Sequence, residues 1–270
     1  MREVTIALAQ TAPVLNDNEE NLRRMAAFIQ RVCSEQPTRL IVFPELAVSG
    51  YECGLNFTRL AERVTGHAVS FLAGKAAEFG VYIVFGMPIK ERVESILFNA
   101  AIVIGPDGEV LGDYRKLHLR GEERLAFRPG YRLPLFETEF GPLGVMIGWD
   151  LAFPEVARSL TLDGAELIVI CAAWEAAHME EWRAYTVARA CENAVYIAAA
   201  NRVGEEPSYS FGGESALIGP QGQVHTALDE AVEGYAVATV DLDEVRHVRE
   251  EQQIIQCRQP AAYRALVRKY

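Results

Sequence analysis

Short, β-branched apolar runs alternate along this chain with longer stretches in which apolar residues return at helical spacing. Val4 to Gln10 predicts a strand, and Asp17 to Glu35 an amphipathic helix opened by Asp and Asn capping residues. Leu40 to Phe43 is a wholly apolar strand that ends at Pro44-Glu45. Leu60 to Phe79 reads as one helix, and Val81 to Met87 as a further buried strand. Phe98 to Ile104 and Glu109 to Lys116, joined by Gly105-Pro106-Asp107-Gly108, predict a hairpin. Leu143 to Ile147 is a strand, followed by a helix from Pro154, where proline suits the first turn. Leu167 to Ala172 and Val195 to Ala200 are strands flanking a helix from His178 to Asn193. A second hairpin turns at Gly219-Pro220-Gln221-Gly222, ahead of a strand from Ala236 to Val240, a charged helix and a polar tail. The two Gly-Pro-x-Gly turns hint at a duplicated strand plan. Antiparallel hairpins among buried parallel-type strands predict an α/β fold with mixed sheets covered by helices. One domain over 1–251 is expected, with a tail over 252–270.

Composition narrows the function classes. The 37 acidic against 26 basic residues give a formal charge of −11, which disfavours phosphate backbones and anionic membrane surfaces. No apolar run approaches the ~20 residues needed to span a bilayer. The first residues read as a strand and not as a signal peptide. The five cysteines (Cys33, Cys53, Cys171, Cys191, Cys257) form no CxxC pair and match no zinc spacing. They read as free thiols of a cytoplasmic protein. No GxGxxG or P-loop pattern is present, so no nucleotide or other cofactor is expected, and His118 and His178 have no metal partners.

Strand ends are the places to seek chemistry in such a fold. A carboxylate, Glu45, tips the run Ile41-Val42-Phe43-Pro44-Glu45. A lysine, Lys116, ends the hairpin strand in Tyr114-Arg115-Lys116-Leu117-His118. The run Gly144-Val145-Met146-Ile147-Gly148-Trp149-Asp150 turns abruptly into Phe153-Pro154-Glu155, the kind of elbow that presents a nucleophile beside free backbone amides.

These segments, in this order, resemble the nitrilase superfamily of carbon–nitrogen hydrolases. The resemblance runs from Ile6-Ala7-Leu8-Ala9-Gln10 to Phe211-Gly212-Gly213-Glu214-Ser215. It implies an α-β-β-α sandwich and a catalytic set of glutamate, lysine and cysteine. The glutamate falls on Glu45 and the lysine on Lys116. A second, bracing glutamate matches Glu123, with Glu122 as competitor. The cysteine position is Gly148, which has no side chain. Cys171 is the nearest other thiol, but the family pattern gives it no role, and a buried apolar thiol is the plainer reading. In the family scheme Glu45 is the base, while Lys116 and the N–H of residue 149 hold the oxyanion.

The missing thiol leaves three readings: a hydrolase inactivated by replacement of its cysteine, a natural binding protein on a hydrolase scaffold, or a hydrolase in which Glu45 activates water directly. Tyr51, Trp149 and Trp174 are expected to line the pocket, core packing being the alternative for both tryptophans. The stretches from Trp174 to Arg183 and from Asn201 to Gly204 look like the amidase-type branches. Small aliphatic amides, ω-amides of dicarboxylates and N-carbamoyl amines all fit, and true nitriles less well. Arg183 or Arg202 offers a clamp for a substrate carboxylate, with structural ion pairing as the other reading of each. The resemblance also implies a homodimer or higher oligomer, paired through the helices near Pro154 to Leu162 and Trp182 to Asn193, with the tail crossing the partner.

Overall fold

The structure is a computed structural model that describes residues 2–91, 96–229 and 231–268. Its elements, in chain order, open with β1 (Glu3–Gln10), α1 (Asn18–Glu35), β2 (Leu40–Val42), α2 (Phe57–Leu60) and α3 (His67–Phe79). β3 (Tyr82–Lys90), β4 (Leu97–Ile104), β5 (Val110–Arg115), α4 (Glu123–Ala126), β6 (Phe136–Thr138) and β7 (Gly141–Ile147) follow. Then come α5 (Pro154–Leu162), β8 (Leu167–Ala172), α6 (Met179–Asn193), β9 (Tyr196–Asn201), β10 (Val203–Glu205) and β11 (Ser210–Gly212). β12 (Ala216–Ile218), β13 (Val224–Ala227), β14 (Gly234–Asp241) and α7 (Asp243–Gln252) complete the series.

The strands form two six-stranded sheets, ordered β14-β1-β2-β3-β4-β5 and β13-β12-β9-β8-β7-β6, with β10 and β11 as a separate pair. Each large sheet has three parallel strands (β1, β2, β3 and β7, β8, β9), an antiparallel edge strand (β14 or β6), and an antiparallel hairpin (β4-β5 or β12-β13). The two hairpin turns close alike: Gly105 N–H donates to Glu109 O at 2.8 Å, and Gly219 N–H to Gln223 O at 2.8 Å. The duplicated plan hinted at by the Gly-Pro-x-Gly turns is therefore present as topology, without a sequence repeat.

Alternation along each strand explains the layers. Ile6, Leu8, Val42 and Val84 of one sheet meet Val145, Ile147, Val169 and Ala198 of the other in a core between the sheets. The opposite faces are also buried: Ala7, Ile41 and Ile83 under α1 and α3, and Met146, Ile168 and Ile170 under α5 and α6. Burial on both faces is why these strands are apolar throughout. The result is the expected α-β-β-α sandwich.

One expected element differs. The helix read over Leu60 to Phe79 is two: α2 ends at Leu60, Ala61 is extended, and α3 starts at His67 after Gly66. Glu62 N–H and O instead bond Pro88 O and Lys90 N–H beside β3. Edge pairing outcompetes helix there. The tail from Ile254 to Leu266 lies over α5 and α6 of its own chain, enclosing with Arg158 and Glu192 a cavity of about 400 Å³. The tail's last two positions, 269 and 270, lie outside the described residues.

Candidate active site

The carboxyl ends of β2, β7 and β8 converge: Gly148 and Ala173 follow β7 and β8 directly, and Glu45 stands three residues beyond β2. Glu45 reaches its place because Gly86 of β3 lets the chain pass: a Cβ there would stand 2.5 Å from Leu46 N. Lys116 leaves β5 with its N–H on Asn99 O at 2.9 Å and its O on Gly130 N–H at 2.8 Å. Asp150 ties this segment to the elbow. Its Oδ2 accepts from Tyr114 Oη at 2.6 Å and Ile147 N–H at 3.2 Å, and its Oδ1 from His118 N–H at 3.0 Å. His118 Nδ1 lies 2.9 Å from the same oxygen, so this histidine is bound to the Asp150 carboxylate.

At the centre, Lys116 Nζ donates to Glu45 Oε1 at 2.6 Å and to Glu123 Oε1 and Oε2 at 2.7 and 2.9 Å. All three side chains are buried. Glu123, not Glu122, is the second carboxylate on the lysine. Asn99 Nδ2 bridges Glu45 Oε1 at 2.7 Å and Glu123 Oε1 at 3.0 Å, and Glu45 Oε2 accepts from Ala173 N–H at 3.1 Å. Two carboxylates around one ammonium leave surplus negative charge in a buried site. Burial, reinforced by Glu123, pushes Glu45 up to about 7 against the opposing pull of Lys116 and Asn99. For Lys116, burial works against the charge, but Glu123 and Glu45 outweigh it and hold the lysine above its ordinary range.

Gly148 opens a 3-10 turn at φ +44°. A Cβ built there would run into Glu45 Oε2 and stand 3.2 Å from Lys116 Nζ. Position 148 thus faces both charged groups, and the Glu45 carboxylate occupies the space in front of it.

The cavity above is small, about 30 Å³, with Glu45, Lys116 and Glu123 at its base. Tyr51, Trp149 and Trp174 all line it, and so do Arg120, Glu175 and His178. A larger cavity of about 330 Å³ opens between β1 and α1, walled by Arg24, Phe28, Arg31 and Glu233. It contains no buried acid–lysine pair, so chemistry and not size selects the site.

Tyr51 is held from the other half of the chain. Glu206 accepts from Tyr51 N–H at 3.0 Å and Glu52 N–H at 2.6 Å, and it pairs with the buried Arg202, which lies 4.1 Å from the Phe211 ring. Arg202 is therefore an anchor for the Tyr51 loop, outside the cavity wall. Arg183 pairs with Glu214 on the surface. Neither arginine offered as a substrate clamp reaches the cavity. Cys171 is buried in the inter-sheet core, where burial pushes its thiol up and away from reactivity. Asn99 was missed in the sequence, although a signal existed: it is the lone polar residue in the run Leu97 to Ile104.

The carbon–nitrogen hydrolase family model matches residues 5–250. A probable nitrilase of Schizosaccharomyces pombe is 44% identical over 98% of this chain and 99% of its own. The 2-oxoglutaramate amidase of Bacillus subtilis is 33% identical over 86% of this chain and 88% of its own. The crystal structure of a carbon–nitrogen hydrolase from Helicobacter pylori superposes with a TM-score of 0.93, at 25% identity, over 99% of both chains. With the fold, the motif order and these likenesses in agreement, the chain belongs to the carbon–nitrogen hydrolase family, within the nitrilase superfamily.

Proposed function

We propose that this site belongs to an amidase-type hydrolase whose nucleophile position is empty, so that the chain recognises small amides without forming an acyl intermediate. The observation that carries the reading is the placement of Gly148 against Glu45 Oε2 and Lys116 Nζ. A thiol there would have a base and a cation within reach. Amide hydrolysis needs a nucleophile, a base for its proton and charge for the tetrahedral oxyanion. Glu45 supplies the base; at about 7 it can both take a proton and return one to the departing amine. Lys116 and the Trp149 N–H supply the oxyanion site, and Glu123 keeps Lys116 charged. Only the covalent step is lost, which in comparable hydrolases costs on the order of 10⁶ in turnover.

The test is ammonia release from a panel of small amides and N-carbamoyl compounds, run on this chain and on Gly148→Cys. The cysteine variant is expected to turn over, with Glu45 Oε2 swinging aside to admit the new Cβ. Because a non-glycine residue at φ +44° is strained, the same variant is expected to lose about 1–2 kcal/mol of stability. An inert cysteine variant would favour a binding protein. Rapid turnover by the glycine form, abolished by Glu45→Gln, would favour direct water activation by Glu45.

The protein is further proposed to pair as a homodimer through α5 and α6, where Leu162 of α5 and Leu266 of the tail lying over it are exposed. Light scattering at twice the chain mass is the expected result; a clean monomer overturns it.

A further inference from the structure

The cavity, about 30 Å³, has Glu45, Lys116, Glu123 and Trp174 as its buried lining, while Arg120 is exposed and Glu175 half-buried. The more exposed lining is the mouth, where whatever the amide is attached to would be met, so the side chains there set specificity. Two of them carry opposite charge. Arg120 comes from the loop between β5 and α4, and its guanidinium carbon lies 5.8 Å from the Trp149 ring centroid. Glu175 comes from the wall after β8, fixed by a backbone bridge to Phe211 and by its O accepting from His178 N–H at 3.0 Å. Among the described residues, neither side chain takes part in an ion pair, with the other or with anything else. Each charge is therefore left for a ligand.

We infer that the mouth reads a zwitterion: an amide whose far end bears both a carboxylate, for Arg120, and an ammonium, for Glu175, as in an ω-amide of an α-amino acid. This rests on the amide-binding reading above. A neutral amide leaves both charges unused. A singly charged amide satisfies one and is repelled by the other. Only a ligand with both charges matches both walls. Lys116 is already countered by two carboxylates, Glu45 and Glu123, so it offers no unbalanced positive charge to a far-end carboxylate.

The experiment is calorimetric titration of the chain as it stands with primary amides of matched head: propionamide (neutral), β-alaninamide (cationic), succinamate (anionic) and L-asparagine (zwitterionic). L-Asparagine is expected to bind on the order of tenfold or more tightly than propionamide, the scale of one or two partly exposed charge-assisted contacts. Arg120→Gln should weaken L-asparagine and succinamate and spare β-alaninamide. Glu175→Gln should weaken L-asparagine and β-alaninamide and spare succinamate. Both side chains are on the rim, so melting temperatures should not move. If propionamide binds and the charged amides bind no better, or if either variant weakens all four equally, the inference falls and the amide reading stands. If none of the four binds, the amide reading falls and takes this inference with it.

Discussion

Two buried polar clusters, each drawn from strand ends of both sheets, do opposite things with their polar groups. In one cluster, the ends of β2, β4 and β5 of one sheet and of β7 of the other bring together Glu45, Asn99, Lys116 and Gly148, three of them charged or bonded to charge. In the other, the ends of β1 and β9 bring together Gln10, Asn201 and Ser215. Ser215 N–H donates to Gln10 Oε1 at 3.0 Å, Gln10 Nε2 to Val232 O at 2.9 Å, and Asn201 Nδ2 to Gly213 O at 2.7 Å. Both clusters are buried. The neutral cluster is saturated and acts as glue. The charged cluster carries two carboxylates for one ammonium, an arrangement that burial makes costly and that stability alone does not call for. The difference teaches that the fold provides the crevice, while unbalanced buried charge marks which cluster is the candidate functional site.

The comparison breaks hardest at Lys116. Lys116→Met leaves Glu45 and Glu123 buried together without their cation, which should cost about 3–5 kcal/mol at pH 8. Much of that should return near pH 5, where the carboxylates take up protons. The check is denaturant unfolding at the two pH values, with Lys116→Met/Glu123→Gln as the variant expected to recover part of the loss at pH 8. A Lys116→Met protein as stable as the parent at pH 8 would mean the charges are not coupled as described.

Next in size is the titration of Glu45. Its folded value, about 7, lies above the ordinary 4.5, so the folded state binds more protons than the unfolded one between these limits. Stability contributed by this group is complete below about 4.5 and is lost as pH rises through about 7. The loss is about 3 kcal/mol, from the size of that displacement. Glu45→Gln should flatten this part of the stability–pH curve and leave the variant more stable than the parent at pH 8. An unchanged slope would remove the case for a raised Glu45.

Asn99 and Ser215 are the matched pair. Asn99→Ala removes two hydrogen bonds to carboxylates and should cost about 2 kcal/mol. Because the Asn99 bond favours ionised Glu45, its loss should also move the Glu45 titration further upward, readable as a shift of the same stability–pH curve. A stability loss without that shift would show that Asn99 only packs.

Much of this was legible in the chain, for identifiable reasons. Strands buried on both faces announce themselves as unbroken apolar runs, so β7 and β8 were placed to within about two residues, the usual spread at element ends. Glu45 and Lys116 stood out because they end such runs. Glu122 and Glu123 were not separable in the sequence, since which one turns inward depends on α4 starting where it does, with Arg120 O accepting from Glu123 N–H at 3.2 Å. The break between α2 and α3 was hidden because Glu62 is held by its bonds to β3, a long-range pairing that periodicity does not encode. Arg120, rather than Arg183 or Arg202, at the cavity was likewise a matter of tertiary placement. A partner such as Glu206 or Glu214 is invisible until the chain folds.

The smallest expected effect lies in the neutral cluster. Ser215 Oγ accepts from Asn201 N–H at 3.0 Å and lies 3.0 Å from Gln10 Oε1. Ser215→Ala leaves the Asn201 N–H without its acceptor, while Gln10 Oε1 keeps the Ser215 N–H. One buried donor unsatisfied predicts a loss of about 1 kcal/mol. No ionisable group takes part in that contact, so the loss should be the same at pH 5 and pH 8. Asn99→Ala should differ between those two pH values, and Ser215→Ala should not. Unfolding of both variants at both pH values separates the clusters: a pH-dependent loss for Ser215→Ala would mean that the neutral cluster feels the charged one, and that the two are a single site.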